Sequence, residues 1–384
     1  MSVTAAAGFV AAGVACGIRR AARDLAIVRS LEPAVGAGMF TRNRLQAAPL
    51  RVSRAHLQAS EPQAVVVNSG VANAVTGPRG EVDALATASE AARLLGVRVE
   101  HVLVLSTGLI GVPLPLGKLR AGLGRAAGVL SPQGGAAAAE AIMTTDTRPK
   151  EAAVARGGFA VGGMAKGSGM IHPALATMLA VVTTDYPLEP GEAPAFLRPA
   201  VEQTFNRISV DGECSTNDAV VLIANGASGA ARDDDAFAET LHEVCASLAR
   251  QVVEDGEGAS TVLEVHVSGA PSDAEAEAVA RRIATSALVK TAAFGRDPNW
   301  GRVLAAAGSA PFNGGFVAVD PERLTLSFGG RTVFARGAPL AGKPLLQGSP
   351  LRIELDVGLG AGAAAYLSTD LTYDYVRINA EYST

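Results

Sequence analysis

Aromatic residues are scarce in this chain of 384 residues, at 4%, and Trp300 is the one tryptophan. Hydrophobic residues still reach 48%, so a core must be built from aliphatic side chains. The length suggests about two to three domains and is ample for a sizeable core. Cysteine is also rare: Cys16, Cys214 and Cys245 are odd in number and widely spaced. They form neither a metal-ligand pattern nor a disulfide framework, which fits a reducing cytoplasm. The histidines (His56, His101, His172, His242, His266) include no H-x-x-x-H pair, so no metal site is expected. No basic block interrupts a net charge of -4, which argues against a nucleic-acid partner. Long apolar runs are absent too. The uncharged stretch from Ser2 to Ile18 is short and broken by Gly8, Gly13 and Gly17. Its charges, Arg19, Arg20 and Arg23, follow the run instead of preceding it, the wrong polarity for a secretory signal. It reads as a buried strand and turn, and no membrane partner is expected.

What remains alternates between short apolar runs and amphipathic segments, an α/β pattern. Strands are expected at Leu25–Val28, Ala34–Phe40, Ala64–Val67, Val102–Leu105, Val220–Ala224 and Val262–Val267. Helices are expected over Glu81–Gly96, from Ser131-Pro132 towards Met143, and over Pro190–Phe205, Asp233–Val253 and Asp273–Ser286. From Leu324 onward the reading is strand-rich to the C-terminus, through LTLSF, TVFA, LRIELDV and AYLSTDLTYDYVRINAEYST. No internal repeat or linker marks two independent domains.

One stretch concentrates the chemistry: VGGMAKGSGMIHPALATMLAVVTTD, Val161 to Asp185. Lys166 lies between two pairs of glycines, and Pro173 fixes the backbone before Ala176-Thr177. Thr177 opens the apolar run Met178–Val182. A threonine there could be a self-cleaving nucleophile, because a freed α-amine, with an ordinary pKa of about 7.7–8.0, can serve as base to its own hydroxyl. Read locally, a β-branched residue filling a strand is the simpler account. Thr107-Gly108, leaving a strand, could offer a hydroxyl and an N–H to one point, as an oxyanion hole requires; an ordinary turn is again simpler. GGMAKGSG lacks the order of a phosphate loop, since Gly167 follows the lysine. His172 has no G-x-S-x-G elbow beside it and reads as local packing.

KGSGMIHPALATML closely resembles the KG-x-GM-x-x-P-x-x-ATML signature of the ornithine acetyltransferase (glutamate N-acetyltransferase) family of arginine biosynthesis. The likeness recurs in FTRN, NSGVAN, AIMTTDTRPK, FNRISVDGECSTND and LVKTAAFGRDPNWGR. Departures are small: Val71 stands where the family usually has Asn, and Glu213 and Cys214 replace Asp and Thr. The resemblance implies a layered α/β sandwich of the self-processing N-terminal-nucleophile type. It implies cleavage between Ala176 and Thr177 into an α piece (1–176) and a β piece (177–384), intertwined in one catalytic unit and paired as an α2β2 heterotetramer. Thr177 would be the nucleophile, Thr107 and Gly108 the oxyanion hole, and Glu257 and Lys166 further catalytic groups. Thr144, Lys166, Thr177, Glu257, Asn379 and Thr384 fall at substrate-binding positions. Lys166 would also lower the pKa of the Thr177 amine.

The implied reaction is a ping-pong transfer of acetyl from N2-acetyl-ornithine to glutamate through acetyl-Thr177, in the cytoplasm and without a cofactor. No residue decides whether acetyl-CoA is also a donor. Three alternatives stay open: a hydrolase (amidase or aminopeptidase) of the same fold that passes the acyl group to water, a relative with another acceptor, and a non-enzymatic binding protein. The residues alone support only an N-terminal-nucleophile acyl transferase or amidase.

Overall fold

The computed structural model describes residues 2–172, 178–342 and 346–381. The described residues form two compact units: the chain up to Asn206 together with Glu213–Val252, and Arg207–Gly212 together with the chain from Val253 to Glu381.

The first unit holds two sheets. In one, the strand order is β1 (Phe9–Val14), β2 (Leu25–Ser30), β4 (Ala64–Val71), β5 (Val102–Leu109). In the other it is β3 (Val35–Phe40), β9 (Ala219–Ala224), β8 (Leu179–Thr184), β7 (Phe159–Lys166), β6 (Lys150–Arg156). Successive residues of a strand point to opposite faces, and here both faces are apolar. Ala26, Val28, Val65, Val67, Leu103 and Leu105 meet Leu179, Val181, Val221 and Ile223 in a core between the sheets. Their neighbours Leu25, Ile27, Ala64, Val66, Val102 and Val104 pack instead on helices α2 (Gly77–Leu95) and α3 (Leu116–Gly128). On the far side of the second sheet, helix α6 (Asp234–Glu254) lays Val244 and Leu248 over Gly163 of β7. The unit is therefore a helix–sheet–sheet–helix sandwich, the layered α/β class expected.

Helix α2 closes where Gly96 takes φ +69°, a left-handed cap. In α6, Phe237, Leu241, Val244, Leu248 and Val252 are buried, as their spacing predicts. One helix expectation is corrected. The alanine-rich helix does not start at Pro132, because Ser131 exchanges both backbone hydrogen bonds with Ala11 (3.0 Å each) and is held in a bridge. Only Gly135–Ala141 (α4) is helical. Helices α1 (Ala48–Ala59) and α3 are absent from the sequence reading, whereas α5 (Ala193–Gln203) lies inside the helix expected over Pro190–Phe205.

The second unit is a six-stranded sheet in which β10 (Val262–Ala270) lies between Leu351–Asp356 and Gly362–Thr369. Val265, Val267, Ile353, Leu355, Ala364 and Tyr366 pack on α7 (Asp273–Ala284) and α9 (Trp300–Ala307). Between those helices, α8 (Ala287–Phe294) buries Lys290. The C-terminal segment is the clearest correction: after Thr369 the chain forms helix α10 (Tyr373–Glu381). Thr372 caps it, accepting from the Tyr375 N–H at 3.1 Å and donating to Gly258 O at 2.6 Å. Among the described residues, no helix is long and apolar enough to cross a membrane.

Candidate active site

Thr107 and Gly108 lie within β5, not in a loop after it. The parallel pairing of β4 and β5 is regular to Gly70↔Gly108, then shifts, so that Val71 faces both Thr107 and Leu109. Gly108 adopts φ +125°, and a Cβ there would sit 2.3 Å from the Gly70 carbonyl carbon. Glycine is required on both counts. Such a bulge re-aims the backbone at the end of a strand, here at the residue pair read from sequence as oxyanion donors.

Lys166 ends β7 and is 3% exposed. Its Nζ donates to Thr107 Oγ1 at 3.4 Å and lies 4.0 Å from Asp146 Oδ2. Asp146 is the hub of the loop that carries Thr144. Its Oδ1 accepts from Lys150 Nζ and from the Gly167 N–H, both at 2.6 Å. Its Oδ2 accepts from the Thr144 N–H at 2.9 Å. Burial alone would raise this carboxyl, but the charges of Lys166 and Lys150, with the hydrogen bonds, hold it at about 2. Arg19 grips the same loop from its carbonyl side, donating to Met143 O at 2.6 Å and Thr144 O at 3.1 Å. Thr145 and Ser168 share a hydroxyl hydrogen bond of 2.7 Å. The structure thus brings together Thr107, Gly108, Thr144 and Lys166. It adds Asp146, Lys150 and Arg19, which sequence reasoning missed. The i, i+4 pair of Asp146 and Lys150 in TTDTRPK was the available signal.

The entry to β9 forms another wall. Asp218 is fully buried, and among the described residues neither carboxyl oxygen makes a hydrogen bond of acceptable geometry. Burial pushes its pKa well above the usual carboxylate range and nearby Cys214 adds to this, against weaker opposing pulls from Met178, Thr41 and Lys166. β9 runs parallel to β8 with Leu179 opposite Ala219, and the Ala219 N–H donates to Met178 O at 3.1 Å.

In the second unit, Asn379 on α10 donates to Glu257 Oε2 at 3.0 Å, joining two sequence-identified residues. The approach is close: Gly258 has φ +63°, and a Cβ there would lie 2.4 Å from the Tyr375 nitrogen. Ala176, Thr177 and Thr384 lie outside the described residues. Among the described residues no group of three or more His, Cys, Asp or Glu is placed to hold a metal.

The ArgJ family model matches residues 10–384. Over its whole length the chain is 48% identical to the arginine biosynthesis bifunctional protein ArgJ of Mycolicibacterium paratuberculosis, covering 96% of that relative. It is 46% identical to the protein of the same name from Streptomyces coelicolor, with 100% of both chains covered. Among solved structures it is similar to a Mycobacterium tuberculosis ornithine acetyltransferase complexed with ornithine, at 46% identity and a TM-score of 0.44, over 45% of this chain and 94% of that one. With the family matched across nearly all of its length, the chain belongs to the ArgJ family and is an acyltransferase.

Proposed function

We propose that this protein is a self-cleaving glutamate N-acetyltransferase that moves acetyl from N2-acetyl-ornithine to glutamate through acetyl-Thr177. The observation that carries the reading is the convergence of Thr107, Gly108, Lys166 and the Asp146-held Thr144 loop, with Lys166 paired to Leu179 at the head of β8. Thr177 is bonded to Met178, one residue before that strand begins.

In maturation, Thr177 Oγ attacks the Ala176 carbonyl carbon, the peptide C–N bond breaks, and an ester links the pieces. Water hydrolyses that ester, leaving a carboxylate on Ala176 and a free α-amine on Thr177. In turnover the amine takes the proton from Thr177 Oγ as the oxygen attacks the acetyl carbonyl. The tetrahedral oxyanion is met by Thr107 and Gly108, the proton passes to the departing ornithine amine, and acetyl-Thr177 remains. The glutamate amine then attacks this ester and leaves as N-acetyl-glutamate. Lys166 and Thr144 bind the amino-acid carboxylate, and Glu257, Asn379 and Thr384 complete the binding set. The α and β pieces assemble as α2β2 in the cytoplasm. No cofactor takes part, and acetyl-CoA is a second donor to be tested beside acetyl-ornithine.

Intact-mass analysis and N-terminal sequencing of freshly purified protein test this. Two pieces, 1–176 and 177–384, are expected, with Thr177→Ala giving one inert chain. A single uncleaved wild-type chain refutes the mechanism. If glutamate does not accelerate turnover of acetyl-ornithine, the acyl group goes to water and the amidase reading replaces transfer.

A further inference from the structure

The STND segment, Ser215–Asp218, has no part in the reaction as derived, yet its Asn217 side chain bonds to the backbone on both sides of the bulge. Asn217 is 3% exposed. Its Nδ2 donates to Ala72 O at 2.7 Å and to Ser106 O at 2.8 Å. Its Oδ1 accepts from Thr216 Oγ1 at 2.6 Å. The amide cannot be reversed, because an oxygen in place of Nδ2 would face two carbonyls. Ser106 directly precedes Thr107, and Ala72 follows Val71, the residue at which the β4–β5 register shifts. The two hydrogen bonds therefore straddle the bulge. A second amide extends the clamp: Ser106 Oγ donates to Asn68 Oδ1 at 2.6 Å, and Asn68 Nδ2 donates to Val71 O at 2.9 Å. On its other side, Asn217 stands two residues before Ala219, which pairs with Leu179 at the head of β8.

We propose that Asn217 is a positioning residue that sets the Thr107–Gly108 segment of β5 against the head of β8, with Thr216 fixing the orientation of its amide. This rests on the oxyanion reading of Thr107 and Gly108. Both strands belong to separate sheets, so no backbone ladder fixes their relative height. Asn217 supplies that constraint from the segment that leads into β9, the strand paired with β8. An oxyanion donor acts only at about 2.7–3.1 Å from the developing charge, and a misplacement of about 1 Å can cost about 10²-fold in rate.

The test measures kcat and KM per cleaved chain, the fraction cleaved, and thermal stability. Asn217→Ala and the isosteric Asn217→Asp are expected to lower kcat about 10²-fold, with KM within about threefold and slower cleavage. Thr216→Val keeps the shape but frees the amide to rotate, and is expected to lower kcat about five- to tenfold, a fraction of the full loss. Ser53→Ala is the structural control: Ser53 Oγ donates to Val104 O at 2.7 Å on the same strand. It should lose stability while kcat is unchanged. Thr107→Ala tests the underlying reading. If it leaves kcat intact, the oxyanion assignment fails and the positioning role fails with it. If Thr107→Ala lowers kcat while Thr216→Val and whichever Asn217 variant folds do not, the positioning inference alone is overturned. A fall in kcat no larger than that of Ser53→Ala at equal loss of stability also overturns it.

Discussion

Lys166 Nζ meets Thr107 Oγ1 at 3.4 Å, so the end of β7 and the bulged end of β5 share one hydrogen bond across the two sheets of the sandwich. The ammonium is buried, and a carboxylate 4.0 Å away helps to balance it. That carboxylate, Asp146, is itself held more tightly by Lys150, at 2.6 Å. The two lysines are therefore not equivalent: Lys150 anchors the loop, and Lys166 presents its charge at Thr107.

Lys166→Met should separate these roles. Asp146 keeps Lys150, so no carboxylate is stranded, and losing the hydrogen bond to Thr107 is expected to cost about 1 kcal/mol. The rate of acetyl transfer should fall by about 10²–10³, the cost of removing one group from a preorganised oxyanion environment. Thermal unfolding and steady-state kinetics on the same preparation check this. A large loss of stability at near-normal activity would make Lys166 structural.

Asp146→Asn should do the opposite. It removes the carboxylate that Lys150 meets at 2.6 Å, and breaking a buried pair costs about 3–5 kcal/mol. The wild-type pH dependence follows from the same group. Its folded pKa, about 2, lies below the ordinary 3.8, so its contribution is complete above pH 4 and is lost as pH falls towards 2. A shift of that size corresponds to about 2 kcal/mol. Denaturant unfolding between pH 5 and pH 2 should show this drop in the wild type and not in Asp146→Asn.

Much of this was legible in the sequence, and the gaps have physical causes. Runs buried on both faces, such as Ala64–Val67 and Val220–Ala224, announced themselves as strands because every position is apolar. Helix α10 was misread because Tyr373 and Val376, its β-favouring residues, are exposed and follow no period-2 burial. The cap at Thr372 was the overlooked signal. Thr107 and Gly108 were placed in a turn leaving the strand, because a bulge arises from pairing with Gly70 and Val71, far away in sequence. Asp146 was missed for a similar reason. Its partners Gly167 and Lys166 come from another strand end, and TTDT by itself looks like a turn.

The cysteines give a chemical test of the packing. Burial, assisted by Asp24, pushes the Cys16 thiol up to about 12, and burial alone does the same to Cys245. Cys214 is only half-buried. Iodoacetamide at pH 8 should label Cys214 in the native protein and reach Cys16 and Cys245 only after denaturation, because the thiolate is the reacting form. Peptide mapping by mass spectrometry reads the pattern, and native labelling of Cys245 would contradict the packing of α6.

The bond between Asn379 and Glu257 allows charge and contact to be removed separately. Asn379 is exposed and Glu257 half-buried, so the pair contributes little to stability, within about 1 kcal/mol. Glu257→Gln retains an oxygen that can accept from Asn379 but loses the negative charge. Asn379→Ala retains the charge and loses the contact. If Glu257 acts through its charge on the substrate amine or on a proton in flight, Glu257→Gln lowers kcat by about 10²–10⁴, the range for a general acid or base. Asn379→Ala then raises KM several-fold and leaves kcat near wild type, since it would act on substrate binding and on the orientation of Glu257. Steady-state kinetics with acetyl-ornithine and glutamate varied in turn distinguish these effects. Equal, small effects of both variants would mean that the pair serves only to tie α10 to the Gly258 turn.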